Sequence, residues 1–134
     1  MSENLDLVRS IVAAHARGDY SSSEWAHPDI EYSIVGGLFS GDWKGRPAMA
    51  RAARELFSTW KGHRSVVDEI RPLDNERVLV LSHVIARARK SGIELDAAQT
   101  RTAALWQVRK GKVIRHVVYL NRGDAFADLG LQAE

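Results

Sequence analysis

The sequence contains no cysteine, so disulfides, thiolate nucleophiles and cysteine-ligated metals are excluded together. It holds no apolar stretch near the roughly 20 residues that cross a bilayer, and no membrane partner is expected. Met1 leads into Ser2, Glu3, Asn4 and Asp6 without the basic flank and apolar core of a secretory signal. Neither sign of charge dominates. Nineteen Lys and Arg against 17 Asp and Glu leave a net charge of +2, too weak a field to imply nucleic acid as a partner. These absences predict a cytoplasmic protein with no resident cofactor. What is present, 134 residues that are 45% hydrophobic and 27% charged, suits one globular domain over 1–134. A chain of that size buries about two-thirds of its unfolded surface.

Apolar residues at Leu5, Val8, Ile11, Val12 and Ala16 have the spacing of one helical face, with Asn4 as a cap and Gly18 as a stop. Residues 20–26 read as a second, short helix. His27-Pro28-Asp29 reads as a turn that starts a strand over Ile30 to Val35, and the glycines between Gly36 and Gly45 read as a loop. The clearest element follows. Pro47 fits a first helical turn, and Met49, Ala52, Ala53, Leu56, Phe57 and Trp60 trace one face that Gly62 ends. Strand patterns then run over 63–73, 77–89, 95–109 and 112–121, with Lys110-Gly111 as a tight hairpin turn. A short helix over 124–129 closes the chain.

Helices gathered early and an antiparallel meander late predict α+β, not a parallel doubly wound sheet. The expected shape is a cone-shaped roll, a strongly curved, mainly antiparallel sheet wrapped around three helices of the N-terminal half. Such a roll encloses a hollow suited to a small molecule. Between Arg77 and Arg89 both strand faces are apolar: Leu79, Leu81, His83, Ile85 and Arg87 alternate with Val78, Val80, Ser82, Val84 and Ala86. Two covered faces need two covers. The helices supply one. For the other we expect a second copy in a two-fold dimer through the outer sheet face, the alternative being the C-terminal segment folded over it.

The motifs exclude more than they assign. Arg17-Gly18-Asp19 and Arg122-Gly123-Asp124 read as turns, and Gly36-Gly37-Leu38-Phe39-Ser40-Gly41 fails both the phosphate-loop and the dinucleotide templates. The five histidines form no pair at metal-ligand spacing, so no metal is expected. His83 and His116 stand out because each interrupts an apolar strand face. A buried imidazole must be hydrogen-bonded, and its pKa is open to adjustment. Each fits either a satisfied core histidine or a pocket acid or base. Lys44, Arg46, Arg51 and Arg54 read as a solvated face.

The ending Gly111-Lys112-Val113-Ile114-Arg115-His116-Val117-Val118-Tyr119-Leu120-Asn121-Arg122, with Ala125-Phe126-Ala127-Asp128-Leu129-Gly130-Leu131, resembles the nuclear transport factor 2-like superfamily in its SnoaL-like branch. The opening Ala13-Ala14-His15-Ala16-Arg17-Gly18-Asp19-Tyr20, then His27-Pro28-Asp29-Ile30-Glu31-Tyr32, is similar to that family's helix-to-strand signature. The resemblance implies a cystatin-like cone around an apolar pocket, commonly in a homodimer. Its known catalytic positions come out mostly empty. The tyrosine, base and acid of the ketosteroid isomerases fall on Ile11, on or near Ser33, and near Ala104. The last-strand acid of the limonene-epoxide hydrolases has only His116, Val118 and Leu120 to fall on, and Asn121 stands where SnoaL-type cyclases often place an aspartate. The two-histidine arrangement of scytalone dehydratase is matched in part, with His83, Arg87 and His116 expected on the concave side beside Ile11, His15 and Ala104.

Three functions follow as expectations. The first is a binder of a small apolar molecule, whose pocket is lined by His15, Glu31, Ser33, Arg87, Trp106, Ile11, Ala104, Val118 and Leu120. The second is a cofactor-independent isomerase, dehydratase or hydrolase in which His83 and His116 are catalytic. The third is a protein-interaction module that uses the sheet face. The resemblance does not choose between binder and enzyme, nor does it name the ligand.

Overall fold

The computed structural model describes residues 3–16, 24–36, 40–58, 64–85 and 101–131. Among them the elements run α1 (Glu3–Ala16), β1 (Ala26–Val35), β2 (Gly41–Lys44), α2 (Arg46–Ser58), β3 (Arg64–Pro72), β4 (Arg77–Ile85), β5 (Arg101–Arg109), β6 (Lys112–Tyr119) and α3 (Arg122–Leu129). The class is α+β as expected. The six strands form one open sheet in the order β2-β1-β6-β5-β4-β3. It is mainly antiparallel, but β1 and β6 pair in parallel, which makes it mixed. None of the described helices is long and apolar enough to cross a membrane.

The inner face of the sheet carries α1 and α2. Leu5, Val8 and Ile11 of α1, and Met49, Ala52 and Leu56 of α2, are buried there with Ile30, Tyr32 and Ile34 of β1 and Val78, Val80, Trp106, Val108 and Val113 of the meander. Burying a Leu or Ile stabilises by about 1.5–3 kcal/mol, so six helical anchors hold both helices despite their modest length. Arg46 ties the start of α2 to β1, its Nε donating to the Ala26 carbonyl at 2.7 Å. Lys110 and Gly111 turn the β5–β6 hairpin at φ 52° and 77°. Two positive φ values in a row give the hairpin turn whose twist matches its strands.

Several expectations are corrected. Asn4 is not a cap. It lies inside α1, where its Nδ2 donates to the Asn75 carbonyl at 2.7 Å. The short helix expected over 20–26 gives way at Glu24–Trp25 to a turn and at Ala26 to the start of β1, while 20–23 lie outside the described residues. His27-Pro28-Asp29 is no turn before a strand. It sits within β1, where the register with β6 shifts between Ala26 and Glu31. The extra chain length is absorbed as a bulge, which tolerates the proline that a regular ladder would exclude. Gly41–Lys44, expected as loop, pairs with β1 as strand β2. Arg122-Gly123-Asp124 is the first turn of α3, with Asn121 as its cap.

The largest correction concerns the helices. Two of the described helices fall in the N-terminal half, and the third, α3, ends the chain on the other side of the sheet. Ala125 and Phe126 are buried there with Leu79, Leu81, Ala103, Leu105, Val117 and Tyr119. The C-terminal segment is therefore the second cover of the apolar strands, the place assigned above to another copy. Burial of that face needs no partner.

Candidate functional site

The inner face is organised in cross-strand rows. In the first row Val78, Trp106, His116, Tyr32 and Trp43 are successive ladder partners across β4, β5, β6, β1 and β2. Residues opposite one another in a ladder stand side by side on one face, so the register alone lines up four rings. Trp106 stacks on His116 with centroids 3.7 Å apart and planes at 23°. Tyr32 follows at 5.5 Å from His116, and Trp43 at 6.0 Å from Tyr32. At the other end Trp25 meets Trp106 edge to face at 5.5 Å, and His15 of α1 reaches both tryptophans at 5.9 and 6.1 Å.

The second row is low. Val80, Ala104, Val118, Ile34 and Gly41 are partners across the same five strands. Within it Val80 and Ile34 are buried, whereas Ala104, Val118 and the following Leu120 are only half-buried, although all face the helices.

His116 is 93% buried by its 7% exposure. Its Nδ1 lies 3.0 Å from the Leu105 carbonyl, which can only accept, so Nδ1 carries the proton. Burial pushes its pKa down to about 3, opposed by that hydrogen bond and assisted by His15. The ring is a neutral imidazole at physiological pH. Trp106 Nε1 is sealed from solvent without a hydrogen-bond partner. An unmet buried donor costs about 1–3 kcal/mol.

His83 is elsewhere. It shares its side of β4 with Leu79 and Leu81, under α3, and so lies on the opposite face from His116. The two imidazoles do not meet in one hollow, contrary to expectation. His83 Nδ1 pairs instead with Asp68 at 2.9 Å, and Arg122 Nη2 donates to the other oxygen of that carboxylate at 2.5 Å. Asp68 occupies the register shift in β3, between Val67 and Glu69. A bulge re-aims a side chain in just this way, which is why the pairing was invisible in the linear sequence. Arg122 also donates to the carbonyls of Ser82 and Thr102, so it ties α3 to three strands. Burial alone would raise the pKa of Asp68, but the hydrogen bonds from His83 and Arg122 hold it below the usual carboxylate range.

Of the other expected lining residues, Ile11, His15, Trp106, Ala104, Val118 and Leu120 lie on the inner side with His116. Ile11 and His15 also border a cleft of about 330 Å³ between α1, Trp25 and Lys112. Glu31 and Ser33 do not belong there. They line an outer groove of about 500 Å³ with Asp42, Lys44 and Arg115, where Ser33 Oγ donates to Asp42 at 2.6 Å. Arg87 lies outside the described residues. Among those described, no three His, Asp or Glu side chains gather as metal ligands.

No family model matches the chain, and no curated protein matches it in sequence. Solved structures do match. An NTF2-like protein of unknown function from Burkholderia pseudomallei K96243 superposes with a TM-score of 0.75 at 19% identity, over 95% of this chain and 97% of that one. TerC, crystallised with polyporic acid, gives 0.74 at 20% identity over 96% and 98%. A candidate SnoaL-like polyketide cyclase from Jannaschia sp. CCS1 gives 0.72 at 13% identity over 97% and 93%. The chain therefore has the nuclear transport factor 2-like (NTF2-like) fold.

Proposed function

We propose that this protein binds a small, mostly apolar molecule on the inner face of the sheet, with the aromatic row as back wall and Ala104, Val118 and Leu120 as floor. The observation that carries the reading is the half-burial of those three residues on a face where their neighbours are buried. Concave, mainly apolar sites with a few polar groups are where small ligands bind. TerC with polyporic acid is one protein of this fold that takes a small molecule. In this reading Ile11 and His15 close the α1 side and Trp106 and His116 the back, while Arg87 lies outside the described residues. Glu31 and Ser33 drop out of the site.

The enzyme reading loses its acid–base pair, because His83 and His116 sit on opposite faces and a neutral His116 brings no general acid. The apolar outer face is likewise taken by α3, which removes the surface named for a protein-interaction module. A cytoplasmic two-fold homodimer retains one basis. Glu31 stands between Lys44 and Arg115 on the outer face, a charge pattern that complements itself under a two-fold axis. Light scattering on wild type and Glu31→Lys tests it: a dimer that reversal leaves intact, or a monomeric wild type, rejects this surface.

The binding site is tested with 8-anilinonaphthalene-1-sulfonate and Ala104→Phe, which raises the floor into the hollow. Wild type should enhance the dye's fluorescence and the variant should lose at least nine-tenths of it with an unchanged circular dichroism spectrum. Equal enhancement by both proteins contradicts the reading.

A further inference from the structure

The hydrogen-bonding state of His116 specifies what the ligand must offer, an inference that rests on the hollow proposed above. Nδ1 is committed as donor to the Leu105 carbonyl, and the peptide oxygen cannot reverse that role. Nε2 is then a lone pair. Among the described residues nothing donates to it. It is not sealed either, since Trp106 Nε1 is the one side-chain nitrogen or oxygen among them that is both buried and unpartnered. An acceptor on a ring 93% buried thus keeps some solvent contact, in the row next to Ala104 and Val118 where the hollow is proposed.

The ring cannot turn to change this assignment. Trp106 stacks on it at 3.7 Å and Tyr32 stands 5.5 Å away, and a flip would cost the Leu105 hydrogen bond. Among the described residues, the titratable groups facing it are His15 from α1 and Tyr32 from β1, while β5 presents Trp106. A second proton on the ring would place a charge between a tryptophan and a tyrosine, which burial opposes.

We infer that the molecule bound here carries a hydrogen-bond donor, a hydroxyl or an N–H, on an apolar frame, which His116 accepts at Nε2. A carboxylate or a bare carbonyl would set lone pair against lone pair and leave the acceptor unmet. Leaving a buried polar group unpaired is how a site built for a hydroxyl rejects the analogue that lacks it. His116 is on this account a specificity-determining residue, not a proton donor.

Two probes that differ in that one hydrogen decide the point, 2-naphthol and 2-methoxynaphthalene, with affinities measured by equilibrium dialysis. At pH 7 the wild type should bind 2-naphthol about three- to tenfold more tightly, the worth of one net hydrogen bond. His116→Phe keeps a ring in the row and should abolish the preference while still binding the methoxy probe. The native chain gives an independent readout: the preference should hold from pH 7.5 down to pH 5, measured also in His15→Gln because His15 faces the same ring. Equal affinities in wild type, a preference that survives His116→Phe, or one that collapses by pH 5 in His15→Gln overturns the assignment of Nε2 alone. Binding of neither probe at millimolar concentration overturns the hollow, and this inference with it.

Discussion

Burial acts on His116 as on any imidazole without an anion beside it: the neutral form is favoured, and the pKa falls from 6.5 to about 3. The unfolded chain then binds the proton before the folded one does. Stability attached to this residue is complete above pH 6.5 and is lost as pH falls towards 3. The loss is on the order of a few kcal/mol across that window. We expect the urea midpoint of the wild type to drop between pH 6.5 and 4 and that of His116→Phe to drop less. Parallel slopes would contradict the neutral assignment. The interruption of an apolar strand by His83 and by His116 was legible in the sequence, and so was the alternation within each strand. What could not be read was which alternation in β4 shares a face with which in β6. That depends on the register through β5, where Trp106 stands opposite both Val78 and His116 and Arg101 opposite His83.

Among the elements, α3 is the one whose attachment is most clearly polar at its ends and apolar between. Arg122 anchors its start to Asp68 and to two strand carbonyls, and Tyr119 donates to Asp128 near its end at 2.6 Å. Phe126 is buried between them. Asp68→Asn should cost about 1–2 kcal/mol in urea denaturation through its charge-assisted bonds, and hydrogen exchange should quicken in α3 before it does in β5. The contribution of the charge is present above the ordinary carboxylate range and fades as pH falls through the lowered pKa of Asp68. Phe126→Ala should cost about 3 kcal/mol or more, measured the same way. The hairpin turn permits a gain. Lys110 holds φ 52° where asparagine is favoured, so Lys110→Asn should raise the urea midpoint slightly, by a few tenths of a kcal/mol. The helices α1, α2 and α3 and the meander were legible, because period 3.6 and period 2 are strong signals over eight or more residues. Strand β2 was not. Four residues among glycines carry no period, and Gly41–Lys44 becomes a strand only because β1 offers it a ladder.

For the molecule as a whole, the number of covers is what the strand patterns could give and the identity of the second cover is what they could not. Two apolar faces on β4 required two layers, and an eight-residue helix proved enough for the outer one. The inner layer is different in kind. Two helices cover it, a row of rings from four strands crosses it, and Ala104, Val118 and Leu120 beside the rings are only half-buried. The proposed function rests on that half-burial. It is tested most directly by crystals grown with 2-naphthol. The naphthalene should lie over Ala104 and Val118, its hydroxyl oxygen about 3 Å from His116 Nε2. Side chains closing that space, or the naphthol seated only in the outer groove beside Glu31 and Arg115, would contradict it.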